Sequence, residues 1–355
     1  MKYQLRMYYA DAVNQSAGPK ATRDCSAILS ELGYRHYDVP IYSDKHPLLN
    51  LLTLLSYFGK LFLSLRAGDS VLLQYPLLGI NKWLKYFAGL LRRKGCRLIC
   101  LVHDLDALRQ VHHAWTLAEE VERLNAFNLV IVHNERMKAL LEENGLKAEM
   151  RCLELFDYLL PEVLWARLKS QVWANEPPEG SAQHGALGNY TRVAFAGNLS
   201  KSIFLKKLHQ VQGLRFILYG PGFEALQAPH GLEWAGSFDA DELPGKLQAD
   251  FGLVWDGDDI DACTGFLGQY LNYNNPHKAS LYLLAGLPLI APKTSALGTF
   301  IRTYGIGITV DALTELPEIL SRLQDVEYQN MKAAIQPIAV KIASGTFLKQ
   351  ALAGT

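Results

Sequence analysis

The sequence predicts an α/β protein with two Rossmann-like domains in tandem, and three observations carry that expectation. At 355 residues the chain has room for two domains of about 150 residues each. Apolar runs of four to six residues recur between longer stretches of helical periodicity, which is the pattern of parallel βαβ units. The pattern is interrupted once, at 171–190 (QVWANEPPEGSAQHGALGNY), where Pro, Gly, Asn and Ser fall without periodicity and a linker or exposed loop is expected. The expected domains are therefore 1–170 and 191–330, with a closing helical segment at 331–355.

In the first half, strands are expected near Gln4–Tyr9, Val71–Tyr75, Leu98–Val102, Leu129–Val132 and Met150–Leu153. Helical patterns lie between them at Ala21–Leu32, Asn81–Lys94 and Glu135–Asn144. A second series follows at Val193–Ala196, Leu214–Tyr219, Leu232–Ala235, Phe251–Trp255, Leu287–Ala291 and Gly307–Val310. It carries helix-like stretches at Lys278–Leu284 and from about Glu327 to Leu352. Ligands of such sheets bind at the carboxyl ends of strands, so a cleft is the expected working site.

Composition narrows the function classes. With 49% hydrophobic and 20% charged residues the chain can bury a large core. Lys plus Arg and Asp plus Glu are both 35, so no overall field draws it to nucleic acid. The first 170 residues carry 22 basic and 18 acidic groups, the rest 13 and 17. The cysteines at 25, 96, 100, 152 and 263 are odd in number and lack CxxC spacing, which argues for a reducing compartment over a disulfide framework or zinc site. No basic n-region with an apolar h-region follows Met1, and the longest apolar run, 48–65, is broken by Asn50, Thr53, Ser56, Gly59 and Lys60. A cytoplasmic protein is expected, with or without peripheral contact to the inner membrane face.

The densest chemistry lies at 250–292, DFGLVWDGDDIDACTGFLGQYLNYNNPHKASLYLLAGLPLIAP. A strand ends in Asp256, Asp258, Asp259 and Asp261; further on, Asn274, Asn275, Pro276, His277 and Lys278 open an apolar helix. Pro276 suits the first helical turn and Asn275 the N-cap. The helix amides, its dipole and Lys278 then make a seat for a diphosphate without a compulsory metal. The same residues also fit a plain capped helix with a solvated lysine. A second turn, Gly197-Asn198-Leu199-Ser200-Lys201-Ser202, could meet the other side of a phosphate or be an ordinary strand-to-helix turn. Tyr219, before Gly220-Pro221-Gly222, offers either a stacking face or a core ring.

In the first half, His103 and Asp104 stand at a strand end, where either could accept a proton; an N-capping aspartate beside a satisfied histidine fits as well. The stretch 14–20 (NQSAGPK) lacks a dinucleotide fingerprint. Residues 82–97 hold Lys82, Lys85, Arg92, Arg93, Lys94 and Arg97 among Trp83, Tyr86, Phe87 and leucines. That is either a membrane-surface helix or an amphipathic helix with a solvated face. Asp256 and Asp258 are read as positioning groups for sugar hydroxyls, with no metal or cofactor expected.

HDLDALR, AGNLSKS, LYGPG, FGLVWDGD and NNPHKASLYLLAGLPLI, in this order, resemble the bacterial β-1,6-galactofuranosyltransferases of O-antigen and polysaccharide assembly, a group related to the glucosyltransferase that extends GlcNAc on serine-rich-repeat adhesins. The resemblance implies a GT-B fold with an interdomain cleft, the nucleotide-sugar mainly on the second domain and the acceptor mainly on the first. It also implies that the C-terminal helix packs back on the first domain. By position, Lys278 with Asn275, Pro276 and His277 would form the donor diphosphate seat. Lys201, Asn198 and Gly197 would make a second donor contact and Tyr219 a nucleotide contact, while the loop with Gly18 and Lys20 would close over the donor.

The expected reaction is inverting transfer from a UDP-sugar, most simply UDP-galactofuranose, to a sugar hydroxyl of a surface or lipid-linked glycan. Asp104 is the first expectation for the base and His103 the second. Transfer from UDP-glucose is the competing enzymatic reading, and a non-catalytic sugar-binding partner is the competing class. Acceptor identity, linkage position and oligomeric state, a homo-oligomer included, are left open by the sequence.

Overall fold

A computed structural model describes residues 1–9, 19–42, 47–77, 84–109, 116–173, 191–226 and 232–355. The chain divides into two compact units: Met1–Glu154 with Leu348–Thr355, and Leu155–Phe347.

The first unit runs β1 (Lys2–Tyr9), α1 (Pro19–Glu31), β2 (Arg35–Ile41), α2 (Pro47–Ser64), β3 (Ser70–Tyr75), α3 (Leu84–Arg93), β4 (Arg97–Val102), α4 (Asp106–Arg109), α5 (Leu117–Leu124), β5 (Leu129–Val132), α6 (Glu135–Glu143) and β6 (Glu149–Cys152). Its six strands pair in parallel in the order β2-β1-β3-β4-β5-β6. Leu98–Val102 and Leu129–Val132 are wholly buried, as expected of central parallel strands covered on both faces. The order reverses between β1 and β3, the kind of switch point at whose carboxyl-end side open α/β sheets bind ligands.

The second unit runs α7 (Glu162–Val172), β7 (Arg192–Ala196), two 3₁₀ segments (Leu199–Lys201, Ile203–Gln210), β8 (Arg215–Tyr219), α8 (Phe223–Leu226), β9 (Glu233–Gly236) and β10 (Phe251–Leu253). It continues through α9 (Gly265–Tyr270), α10 (His277–Leu284), β11 (Leu289–Pro292), α11 (Ala296–Tyr304), β12 (Gly307–Val310), α12 (Leu316–Arg322) and α13 (Asp325–Ala343). A last helix, α14 (Thr346–Ala351), carries the chain into the first unit's C-terminal segment. The sheet order is β12-β11-β10-β7-β8-β9, all parallel, with its switch point between β10 and β7. Phe195, Phe204, Phe216 and Trp255 fill one face of that sheet, and the Trp255 indole N–H donates to the Asp259 carbonyl (2.8 Å).

Several elements differ from the sequence expectation. β2 was not anticipated: it is an edge strand, exposed at Arg35 and His36, with Pro40 tolerated near its end. β10 stops at Leu253, two residues early. The closing segment is two helices, α13 and α14, separated by Ser344-Gly345. Lys20 is a helical residue of α1 and not part of a loop. Of the expected linker, residues 174–190 lie outside the described residues, as do Gly18, Lys82 and Trp83. Among the described residues no helix is long and apolar enough to cross a membrane.

Candidate active site

The second unit gathers its predicted groups at the β7/β10 switch point. α10 begins one residue later than the sequence suggests: Pro276, with ψ of 142°, is extended and occupies the N-cap, so Asn275 is not the cap. No side chain caps the helix. Asn275 is buried, and His277 stacks on Tyr158 (4.8 Å between centroids, 11°) with its Nε2 3.3 Å from the Asp157 carbonyl. The His277 contacts hold the start of α10 in place.

Lys278 is half-buried and its ammonium lies 4.3 Å from the centre of the Phe195 ring, the end of β7. Among the described residues no carboxylate lies within salt-bridge distance of it. Burial pushes the ammonium below the usual lysine range, and nearby Asp256 pulls it back. Lys278 also reaches the turn after β7, since a Cβ built on Gly197 would lie 3.8 Å from its Nζ. The structure thus joins NNPHK to AGNLSK, the two segments the sequence selects for phosphate.

That turn is layered on the one after β8. Gly197 donates its N–H to Tyr219 O (3.0 Å), and Leu199 donates to Pro221 O (3.0 Å). Gly220 has φ of 132°, and a Cβ there would sit 2.0 Å from Gly197 O, so only glycine allows this approach. Asn198 and Lys201 are exposed; the Asn198 side chain accepts from Ser200 Oγ (2.8 Å). The Tyr219 ring is a core ring and not a stacking face: it is 2% exposed and its hydroxyl accepts from Gln248 N–H (2.9 Å). An exposed aromatic stands nearby instead. Trp234 donates its indole N–H to Gly220 O (3.0 Å) and stacks on Phe223 (5.4 Å, 4°), a pair the sequence reading passed over because it fills one short strand and one short helix.

Asp256 is half-buried and accepts from Gly257 N–H (2.9 Å), while Asp258 is exposed. Asp259 takes an ion pair with Lys207 (2.5 Å) and caps Ile260 N–H (2.7 Å), so it is a loop anchor. Among the described residues no group of three His, Cys, Asp or Glu side chains is placed to hold a metal.

The first unit has its own polar cluster at the β1/β3 switch point. Gln74, on β3, donates its amide to Thr22 O (3.2 Å) and Ser26 Oγ (3.0 Å), which turns its Oε1 toward His103 Nε2 at 2.7 Å. An amide oxygen accepts only, so the neutral imidazole carries its proton on Nε2 and Nδ1 is the basic nitrogen. Asp104 forms an ion pair with Arg109 at the end of α4. Glu120 caps α4 from α5: its fully buried carboxylate accepts from Asp106 N–H (2.9 Å), Ala107 N–H (3.0 Å) and Tyr75 OH (2.7 Å). Burial pushes Glu120 up, and the Tyr75 hydroxyl draws it back. Its sequence signal was an acid four residues before the buried Leu124, on the inner face of α5. Lys20 is 4% exposed and paired with Asp24 one turn on (2.7 Å), so its charge is balanced within α1.

Two domain models of one family match the chain: the glucosyltransferase 3-like N-terminal domain over residues 2–155 and the C-terminal domain over 193–355. The chain belongs to the glucosyltransferase 3-like family. It is 29% identical over 358 residues to the β-1,6-galactofuranosyltransferase WbbI of Escherichia coli K12, covering 98% of this chain and 97% of that one. It is 25% identical to glucosyltransferase 3 of Streptococcus gordonii, covering 99% and 97%. Anabaena Alr3699/HepE, solved in complex with UDP, matches along the whole of both chains with a TM-score of 0.56 and 16% identity. The fold is GT-B and the protein is a glycosyltransferase.

Proposed function

We propose that this glycosyltransferase moves a hexosyl group with inversion from UDP-galactofuranose to a sugar hydroxyl of a growing bacterial surface glycan. The WbbI resemblance supports the furanose donor. A UDP complex in a protein of the same fold supports the nucleotide. One observation carries the reading: Lys278, half-buried with no carboxylate in salt-bridge distance among the described residues, stands at the switch point of the second sheet beside the Gly197 turn. A cation so placed is set up for an anion from outside the chain.

In this reading the acceptor oxygen attacks the anomeric carbon as the bond to UDP breaks. The electron pair leaves with UDP, and its negative charge is met by Lys278 and the uncapped start of α10 without a metal ion. The acceptor proton goes to a base of the first unit. His103 fits that role better than Asp104, because its Nδ1 is the basic nitrogen while the Asp104 charge is already met by Arg109. Asp256 and Asp258 remain assigned to sugar hydroxyls. A lipid-linked acceptor places the enzyme at a membrane surface. UDP-glucose as donor is the second reading, favoured by the family models and by the Streptococcus gordonii relative.

Calorimetry with UDP tests the donor seat. Lys278→Ala is expected to weaken UDP by about 10- to 100-fold, the loss of a charge-assisted hydrogen bond; unchanged affinity removes Lys278 from the site. UDP release measured with each sugar nucleotide then decides the donor: turnover with UDP-glucose and none with UDP-galactofuranose replaces the first reading by the second. Undiminished turnover after chelation of divalent ions is the expected result for the metal-free scheme.

A further inference from the structure

α2 is apolar on both of its faces. Leu54, Phe58 and Leu61 are buried inward, whereas Leu48, Leu52, Leu55 and Leu63 are 68, 57, 52 and 81% exposed. The exposed leucines recur at spacings of four, three and eight, so they form one outward stripe along a helix about 27 Å long. A solvated helix face is polar; an apolar stripe of this length marks a surface with an occupant.

α3 extends that stripe and gives it charge. Phe87 of α3 stacks on Phe58 of α2 (4.0 Å, 16°), and Leu90 is 48% exposed. Lys94, just past α3, lies 4.3 Å over the Phe62 ring and donates to the Phe62 carbonyl. Lys60, Arg92 and Arg93 are exposed beside these apolar groups, and neither helix contains an acidic residue.

We propose that α2 and α3 form a docking surface for an anionic lipid bilayer, with the α2 leucines entering the headgroup boundary and the cations meeting lipid phosphates. Apolar insertion plus electrostatic attraction is how an interfacial helix binds. The charge decides against a second copy of this chain: a two-fold contact through two helices without acids would bring cations together with nothing to offset them. The proposal deepens the reading of a lipid-linked acceptor, but its test needs neither donor nor acceptor.

The full chain is sedimented with vesicles of phosphatidylcholine alone and of equimolar phosphatidylcholine and phosphatidylglycerol. The expected result is binding to the anionic vesicles that Leu52→Gln with Leu55→Gln reduces about tenfold, and a preference for phosphatidylglycerol that Lys60→Glu with Arg93→Glu abolishes. Both variants alter exposed positions of the first unit, and an unchanged first-unit transition in differential scanning calorimetry certifies that each is folded. A parent chain that stays in the supernatant overturns the proposal, as does a leucine variant that pellets like the parent. A parent that forms a dimer dispersed by the leucine pair, with no vesicle binding, also overturns it and assigns the stripe to a second copy. Loss of UDP binding in Lys278→Ala bears on the donor site alone, so the two readings fail separately.

Discussion

His103 shows how one neighbour sets the chemistry of a side chain. Gln74 uses both amide hydrogens on α1, so its oxygen is the only part left to face the imidazole, and the ring must answer with Nε2–H. Gln74 is thus a positioning residue for the proposed base. Gln74→Glu would place a carboxylate there, favour the imidazolium and raise the histidine pKa. The acid limb of the kcat profile is expected to move up by about one pH unit, with KM for donor little changed. An unmoved limb removes His103 from the proton transfer. His133 follows the opposite rule. It is 2% exposed on the end of β5, and burial pushes its pKa from 6.5 down to about 4. The unfolded chain therefore binds the proton first, and stability falls as pH drops from about 6.5 toward about 4. Urea midpoints followed across that window should show a decline that His133→Gln flattens. A wild-type midpoint that holds steady through the window contradicts the buried neutral ring.

At the scale of elements, α4 is too short to stand on its own four residues and depends on Glu120 from α5 for its first amides. Glu120→Ala would orphan two N–H groups and the Tyr75 hydroxyl, a loss of about 3 kcal/mol in urea unfolding, with α4 and its Asp104–Arg109 pair loosened. A change below about 1 kcal/mol would mean that α4 is capped some other way. This dependence was not legible in the chain, because Glu120 is 14 residues from Asp106 and follows a Glu119 that serves the ordinary capping box of α5. The central strands were legible, since Leu98–Val102 and Leu129–Val132 are continuous apolar runs. β2 was not, because only its last residues turn inward and its start reads as polar loop. α10 was read one residue early, since Pro276 has the φ of a helix but an extended ψ that local sequence does not reveal.

The whole molecule repeats one arrangement twice: a six-stranded parallel sheet with polar groups collected where its strand order reverses. The sequence pointed to strand ends beside these switch points because charged runs follow apolar ones at Asp256 and His103. It left Tyr219 open between a stacking face and a core ring, because a ring at a strand end faces inward or outward by register, which local sequence does not state. The two units are not consecutive in sequence, since the chain leaves the first at Glu154 and rejoins it at Leu348. That last segment is tied down at several points. Leu348 and Leu352 are 0 and 5% exposed, Lys349 pairs with Glu31 (2.8 Å), Arg151 donates to Ala353 O (2.6 Å) and Lys2 donates to Thr355 O (2.9 Å). Burial of two leucines stabilises the first unit by about 4 kcal/mol. A chain ended after Phe347 should therefore lose that amount from the first unit alone. In differential scanning calorimetry the transition of the first unit is expected to fall by on the order of 10 °C, while UDP affinity, which the proposed donor site assigns to Lys278 in the second unit, holds. If the truncated chain melts as the full chain does, the C-terminal segment contributes nothing to the first unit; if UDP affinity falls with it, the two units are not independent in the way their separate cores imply.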